Sequence, residues 1–248
     1  MIELKNANQL ERMRNAGRIV GETLRLMREL AKPGVTTIEL DRMAEEYIRA
    51  QGAVPAFKGY NGFPATLCTS VNEQVVHGIP GLRCLESGDI ISIDCGAVID
   101  GYFGDAAVTL PIGQVGQDIL NLLKVTEESL MLGIAQAKIG NRLYDVSYAV
   151  QTHVEANGFS VVRDYVGHGI GRAMHEDPQI PNFGKPGRGP RLEVGMALAI
   201  EPMVNMGTYE VQTLKDHWTV VTKDNRPSAH FEHTVAITEN GLEILTRC

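Results

Sequence analysis

Cysteines and long apolar runs are both scarce in this sequence, and each scarcity excludes a class of protein. The 248 residues include four cysteines, none in a Cys-x-x-Cys pair, at Cys68, Cys84, Cys95 and Cys248. Four is too few for a disulfide scaffold in a chain of this length. No apolar run approaches the roughly 20 residues of a membrane span, and residues 1–6 do not resemble a secretory signal. We therefore expect a reduced, cytoplasmic protein that does not bind a membrane.

An excess of basic charge is also lacking. The formal net charge is −7, and no long run of lysine or arginine occurs. A general nucleic-acid-binding protein normally presents a basic face, so specific nucleic-acid partners are disfavoured. The composition, with 44% hydrophobic and 21% charged residues, is that of an ordinary globular protein. The length alone fits either one large domain or two small ones.

Apolar residues at steps of three and four predict helices, and the residues that flank them predict where these helices begin and end. Thr36 and Glu39 form the pattern of a capping box at the start of the second helix. Gly52 is suited to the left-handed conformation that ends that helix. The predicted helices span, approximately, residues 8–30, 36–52, 117–138 and 144–157.

These helices form two pairs that resemble each other in sequence. At an offset of 106 residues, eight identities fall in 31 gapless positions, including Gly34 with Gly140 and Gly52 with Gly158. Average residue usage would give about two. We therefore predict a duplicated helix-helix-sheet unit. Strands are predicted at residues 90–94, 102–110, 196–200 and 234–237, and a loop at residues 184–190.

A β-hairpin around Asp100-Gly101 places two carboxylates together. In a two-residue hairpin with this loop, Asp94 faces Ala107. Asp105 then lies on the same sheet face as Asp94, diagonally across the pair at roughly 7–8 Å between Cα atoms. Two carboxylates that point the same way repel unless a cation separates them. Solvated surface aspartates are the alternative, but the apolar residues around both positions favour partial burial.

Three further residues have local contexts that suit metal binding, although none is decisive alone. His168 stands between glycines in Gly167–Gly171, where a substrate or metal has close access. Glu201 ends an apolar run, and Glu232 faces away from the apolar side of its strand. The alternatives are a loop histidine without a role for His168, a proton in place of a cation for Glu201, and contact with solvent for Glu232. Together with the two aspartates, these residues form an oxygen-rich set that suits Mn²⁺, Fe²⁺, Co²⁺ or Zn²⁺, and two such ions are able to activate water for hydrolysis.

The order and spacing of these residues resemble methionine aminopeptidases of the bacterial type I family, over almost the whole chain. The matching motifs are Val76–Pro80, Ile93-Asp94, Gly104-Asp105, Gly167–Gly171, Ala199–Pro202 and Phe231–Thr234. The resemblance implies the α/β (α+β) "pita-bread" fold, with pseudo-twofold helix-helix-sheet halves around a central antiparallel sheet. It also implies a single catalytic metallopeptidase domain over residues 1–248. The implied reaction removes the initiator methionine from nascent proteins whose second residue is small.

The resemblance further implies a role for each site residue. Two divalent ions would be bound by Asp94, Asp105, His168, Glu201 and Glu232. The catalytic residues would be Glu201, which moves protons to and from the attacking water, His77, which contacts the scissile amide nitrogen, and His175, which stabilises the oxyanion. The methionine side chain would lie against Tyr60, Phe63, Cys68, His77 and Trp218. Gly96 stands where many members have threonine, and four other histidines match no ligand position, namely His153, His217, His230 and His233, although His233 is expected to support Glu232.

Three other functions compete with this interpretation. A structural metal protein would have a closed site without further histidines, whereas His77 and His175 accompany this one. A proline-specific dipeptidase or aminopeptidase shares the fold, but those enzymes carry an additional N-terminal domain that these 248 residues do not include. A non-catalytic binding relative would typically have lost metal ligands, whereas all five are present. For the aminopeptidase we expect a monomer that binds the N-terminal methionine of nascent peptides and associates transiently with the ribosome. The sequence does not indicate which of Co, Mn, Fe or Zn is the physiological metal.

Overall fold

The computed structural model describes residues 1–247, and its helices lie where the apolar spacing predicts them. They are α1 Ala7–Leu30, α2 Thr37–Ala50, α3 Gln117–Gln136 and α4 Leu143–Ala156. The predicted capping interaction is present, since Glu39 accepts hydrogen bonds from the backbone N–H and the hydroxyl of Thr36 at 2.8 and 2.6 Å. It satisfies donors that have no partner inside the helix. No helix in this range combines the length and apolarity that a membrane crossing requires.

The 106-residue repeat is visible in the structure at single positions. Thr36 and Arg142, which are 106 residues apart, are the N-cap residues of α2 and α4. In both cases the backbone N–H of the cap donates to a carboxylate three residues later. Gly34 and Gly140, two residues before these caps, both have φ of +94°, a conformation that favours glycine. The two helix pairs are therefore related structural units, as predicted.

The strands pair in the antiparallel sense throughout the described chain. They are β1 Val54–Pro55, β2 Leu67–Val71, β3 Gln74–Val76, β4 Ile90–Ile99, β5 Tyr102–Pro111, β6 Ser160–Val161, β7 Gly167–Gly169, β8 Glu176–Ile180, β9 Ala197–Ile200, β10 Met203–Asn205, β11 Val211–Thr213, β12 Val220–Thr222, β13 Ser228–His230, β14 Glu232–Thr238 and β15 Gly241–Ile244. The largest sheet has the order β1-β4-β5-β14-β9-β7-β8, with β2 paired to β4 and β15 paired to β14. One strand from each half, β5 and β14, meets the other at the centre of this sheet.

The helices cover one face of the central sheet and leave the other face for a site. α1 packs on β4 and β5, and α3 contacts β5, β9 and β14. Ile91, Ile93 and Cys95 of β4 belong to the same buried cluster as Ile19 and Val20 of α1. Because successive side chains of a strand point to opposite faces, Asp94 points away from the helices.

Glycine at position 17 allows α1 to approach the C-terminal segment closely. A Cβ atom there would lie 2.4 Å from the carbonyl oxygen of Leu245, which is backbone and has little freedom to move. We predict that Gly17→Ala lowers the free energy of unfolding by about 1–3 kcal/mol through overpacking, although alanine is the better helix former by about 1 kcal/mol. Urea unfolding measures the change. Asn15→Ala, on the exposed face of α1, should change stability little, and an equal or greater stability of Gly17→Ala would contradict the prediction.

Candidate metal centre and substrate cavity

Asp94 and Asp105 lie in the register that the hairpin predicts. Asp94 pairs with Ala107 on β5, and Asp105 therefore shares its sheet face. Ala107 also pairs, on its other side, with Glu232 of β14. On β2, Cys68 pairs with Asp94. These residues form one row across four neighbouring strands, and paired residues point to the same face.

His168 and Glu201 reach the same face from the second half of the fold. His168 pairs with Ala199 on β9, which in turn pairs with Thr234 on β14. Glu201 follows two residues after Ala199. The Nε2 atom of His168 lies 3.8 Å from Oδ2 of Asp105 and 3.6 Å from Oε1 of Glu201. The structure thus brings all five predicted ligands together.

The donor atoms of this cluster fit a divalent cation. Oδ1 of Asp94, Oδ1 of Asp105 and Oε1 of Glu232 are buried without a hydrogen-bond partner. A buried polar atom in this state is costly unless a cation or a proton compensates it. Two overlapping groups place their ligand atoms within 4.8 Å of one another, namely Asp105, His168 and Glu232, and Glu201, His230 and Glu232.

The crowding of carboxyl groups changes their acidity. Burial raises the pKa of Asp94 to about 7. The pKa values of Asp105, Glu201 and Glu232 are raised well above their ordinary values, first by burial and then by the charges of the neighbouring carboxylates. The carboxyl groups therefore hold protons more readily when no cation is bound, and an entering cation competes with those protons.

The imidazole of His168 is oriented by its own strand. Its Nδ1 lies 2.9 Å from the carbonyl oxygen of Gly169. A carbonyl accepts but does not donate, so Nδ1 carries the proton and Nε2 offers a lone pair toward Asp105 and Glu201. Burial lowers the pKa of His168 to about 4, which keeps the ring neutral and able to bind a metal.

A second histidine, His175, stands beside this cluster at the opening of a cavity. Its ring lies 4.2 Å from that of His168 and 5.4 Å from that of Tyr60, between ring centroids. The hydroxyl of Tyr60 is 2.8 Å from Nδ1 of His175. Burial lowers the pKa of His175, so the ring is neutral near pH 7. Sequence reasoning had placed Tyr60 in the methionine pocket without predicting its contact with the histidine.

The apolar part of the cavity contains the remaining predicted substrate-binding residues. Phe63 and Trp218 pack edge to face with 5.1 Å between ring centroids. Trp218 is held in place because its backbone N–H donates to the Asp216 carboxylate at 2.9 Å. Phe57 also lines the cavity, which no sequence pattern indicates because its local context resembles ordinary core. The lining consists of Phe57, Tyr60, Asn61, Phe63, Cys68, His77, Asp94, Asp105, His168, His175, Glu201, Trp218 and Glu232.

His77 has a backbone conformation that is unusual for a residue with a side chain. Its φ is +60°, in the left-handed region. Such conformations cost about 1–3 kcal/mol and persist where the surrounding structure fixes them. The next residue, Gly78, is fixed by its contact with β2, because a Cβ there would lie 2.2 Å from the carbonyl oxygen of Thr69. This turn directs the His77 ring to the cavity, 6.4 Å from the Trp218 ring.

Sequence reasoning missed one residue of the cluster, His230. Its Nε2 lies 3.8 Å from a carboxylate oxygen of Glu201 and 3.8 Å from one of Glu232. Residues two positions apart share one face of an extended segment, so the spacing of His230 and Glu232 is the signal that could have found it. His233, by contrast, faces away from Glu232, and its Nδ1 lies 2.8 Å from the Thr246 hydroxyl. The expected support of Glu232 by His233 is therefore wrong.

Gly96 faces Asp105 across the hairpin. A Cβ at this position would lie 2.7 Å from Cε1 of Phe57 and 3.0 Å from Cε of Met174. The space that a threonine would need is therefore filled by these two apolar side chains. Gly96 therefore leaves the room that the Phe57 ring occupies at this wall of the cavity.

Known proteins resemble this chain over its full length. The profile of Metallopeptidase family M24 matches residues 11–239. A protein of Clostridium acetobutylicum named methionine aminopeptidase is 59% identical, over 100% of both chains. The crystal structure of methionine aminopeptidase from Thermotoga maritima superposes with a TM-score of 0.98 at 48% identity, again over 100% of both chains. The pita-bread fold expected from the sequence is therefore confirmed.

A more distant structure shares the fold alone. The prolidase of Pyrococcus furiosus superposes with a TM-score of 0.79 at 22% identity, over 99% of this chain and 65% of that chain. The architecture by itself therefore does not distinguish removal of methionine from cleavage before proline. That distinction depends on the residues that line the cavity.

Proposed function

This chain belongs to metallopeptidase family M24, and we propose that it is a type I methionine aminopeptidase. It removes the initiator methionine from nascent proteins whose second residue is small. One observation carries the proposal: five ligand side chains and two further histidines converge on a single cavity whose remaining wall is apolar and aromatic. Such a cavity supplies hydrolytic chemistry beside a pocket for an unbranched apolar side chain.

The five ligands are proposed to hold two divalent ions. Asp94, Asp105, His168, Glu201 and Glu232 would together hold these ions through their carboxylate oxygens and one imidazole nitrogen. Two overlapping groups of donor atoms, which share Glu232, support two neighbouring cation positions. When bound, the ions supply Lewis-acid polarisation of the scissile carbonyl and make the attacking water more acidic. Co, Mn, Fe and Zn are all compatible with these ligands, with Mg less so because of the imidazole.

The neighbouring side chains orient the peptide and move protons. Glu201 takes the proton of the attacking water and delivers it to the leaving amine, because its carboxyl lies at the edge of the cluster and lines the cavity. His175, a neutral ring beside Tyr60, donates a hydrogen bond to the oxygen on which charge develops. His77, which also lines the cavity, contacts the scissile amide nitrogen.

The apolar wall selects methionine. Phe63 and Trp218 present ring edges and faces, Cys68 presents a small sulfur group at the floor, and Tyr60 borders the opening. A thioether chain packs well on aromatic rings, which contribute about 0.3–1.5 kcal/mol per sulfur–aromatic contact. Burial raises the pKa of the Cys68 thiol well above its ordinary value, so that Cys68 acts as an apolar group and not as a nucleophile.

The proposal also includes the domain organisation, oligomeric state, compartment and ribosome binding that the family resemblance implies. The chain forms one catalytic domain over residues 1–248 and works as a monomer in the cytoplasm, with transient binding to the ribosome. Cys68, Cys84 and Cys95 are free thiols, which is compatible with a reducing compartment. Gel filtration with light scattering would test the monomer, and co-sedimentation with ribosomes would test the association.

A peptide assay tests the main activity. Protein stripped of metal and reloaded separately with Co²⁺, Mn²⁺, Fe²⁺ or Zn²⁺ should release methionine from Met-Ala-Ser. Met-Phe-Ser, the matched control with a large second residue, should be a much poorer substrate. Failure to release methionine with every metal would refute the proposal. Cleavage of Gly-Pro peptides in preference to Met-Ala-Ser would instead favour a proline-specific peptidase.

A further inference from the structure

The centre contains a second imidazole that the five-ligand set does not use. His230, at the end of β13, is 1% exposed, and its Nε2 atom is buried without a hydrogen-bond partner. Such a nitrogen loses its hydration on folding and gains nothing in return. The only other described histidine aimed at the carboxylates with comparable burial is the ligand His168, which is 6% exposed.

The position of His230 is fixed by its backbone. The Thr109 hydroxyl accepts a hydrogen bond from the His230 N–H and donates one to the His230 carbonyl, both at 2.8 Å. The same hydroxyl lies 2.8 Å from the Ser92 hydroxyl, so β4, β5 and β13 are joined at this point. The backbone that carries the imidazole is thus fixed before any ligand binds, as a preformed metal site requires.

The distances identify what the nitrogen is placed to contact. Nε2 lies 3.8 Å from Oε2 of Glu201 and 3.8 Å from Oε2 of Glu232. These separations exceed the range of a hydrogen bond. They fall below about 4.2 Å, the separation of two opposite ligand atoms that each bind one ion at about 2.1 Å. His168 stands in the same relation to its carboxylates, at 3.6 and 3.8 Å.

We propose that His230 is a sixth protein ligand of the centre, binding through Nε2 the ion held between Glu201 and Glu232. The inference rests on the proposed metal centre. Each carboxylate oxygen of Glu201 then faces one imidazole, since His168 lies nearest Oε1 and His230 nearest Oε2. A second nitrogen donor makes the site softer and favours Fe²⁺, Co²⁺ or Zn²⁺ over Mn²⁺.

Cobalt-loaded protein provides a direct test, because a Co²⁺-bound imidazole gives a strongly shifted proton NMR signal for its remaining N–H. The wild-type protein should show two such exchangeable signals, present in H₂O and absent in D₂O. His230→Gln should remove one of the two signals. It should also raise the Kd of one Co²⁺ ion at least about tenfold in calorimetric titration, because even the loss of a residue that hydrogen-bonds a metal ligand has an effect of that size. His233→Gln, the same substitution at a half-buried histidine that faces away from the centre, should retain both signals and both affinities.

The outcomes separate this inference from the function on which it rests. One shifted signal in wild-type protein that binds cobalt and releases methionine would overturn the role of His230 and leave the aminopeptidase intact. A His230→Gln protein that keeps both signals and both Co²⁺ affinities would also overturn the role of His230 and leave the aminopeptidase intact. Wild-type protein that binds no cobalt would refute the centre itself. If His230→Gln fails to fold, X-ray absorption of the wild-type cobalt protein still counts its imidazole ligands, with two expected per protein and one contradicting the proposal.

Discussion

Replacement of Asp94 by asparagine should have opposite effects on activity and on stability. The kcat/KM for methionine release should fall by about 10³-fold, because a metal ion contributes several kcal/mol to the transition state and each 1.36 kcal/mol is a factor of ten. Asparagine retains the shape of the side chain but binds a divalent cation poorly. In the absence of metal, the same substitution should stabilise the folded protein.

The sign of the stability effect follows from the pKa. Burial raises the pKa of Asp94 from 3.8 to about 7, so the folded state holds a proton that the unfolded state releases. Stability is therefore lost as pH rises from about 4 to about 7, and the full loss is present at pH 8. The substituted asparagine carries no charge, and the variant escapes this loss. Its Tm should exceed that of the wild type at pH 8, by roughly 2–4 °C for each kcal/mol recovered, and the difference should shrink toward pH 4.

Thermal unfolding of chelator-treated protein at pH 4, 6 and 8 measures this difference, and peptide hydrolysis after reloading measures the activity. Asp100→Asn is the matched control. It makes the same chemical change at the exposed turn of the same hairpin, where asparagine tolerates the φ of +52°. It should retain activity and show no pH-dependent gain. An Asp94→Asn protein that remains fully active would contradict the metal-ligand role, and one that is less stable than the wild type at pH 8 would contradict the pKa argument.

The hairpin that carries Asp94 shows what sequence reasoning predicts well. Its loop, its register and the shared face of Asp94 and Asp105 all follow from the turn dipeptide and the period of a strand. The helix ends follow similarly, since Thr36 and Glu39 act over one turn of backbone. These are local interactions, and the residues that decide them lie within about ten positions of one another.

The rest of the centre depends on contacts that no local pattern encodes. Glu232 reaches Asp94 only because β14 pairs with β5, more than 120 residues earlier in the chain. Local sequence context indicated His168, Glu201 and Glu232 only as separate suggestions, and the resemblance to a known family joined them. A family resemblance also has a limit, because it assigns functions only to those residues of this chain that match the family motif. The resemblance therefore assigns no role to His230. Its position beside Glu201 and Glu232 depends on where the fold places β13.

Tyr60 illustrates the same limit for the catalytic histidine. The family resemblance predicts that Tyr60 forms part of the methionine pocket, whereas its hydroxyl contacts Nδ1 of His175, 115 residues later. A tyrosine hydroxyl that donates to Nδ1 fixes the neutral ring with its proton on Nε2. The ring then keeps one donor for the substrate. Tyr60 is accordingly a positioning residue for His175 as well as a wall of the cavity.

His175→Ala should lower kcat by about 10²–10³-fold, the usual cost of removing one donor from an oxyanion. Because the alanine removes an interaction that strengthens only in the transition state, KM for Met-Ala-Ser should change little. The five ligands are untouched, so the protein should bind the same number of ions as the wild type. Stopped assays of methionine release and metal analysis of the same samples measure both quantities.

Tyr60→Phe should produce a smaller loss of the same kind, because phenylalanine keeps the ring stacked on His175 but leaves Nδ1 without its partner. A fraction of the rings then carries the proton on Nδ1 and offers no donor to the substrate. The double substitution with His175→Ala should be no worse than His175→Ala alone, since the hydroxyl acts only through the imidazole. Additive losses would show that Tyr60 acts on the substrate directly, and undiminished turnover of metal-loaded His175→Ala would remove that histidine from the mechanism.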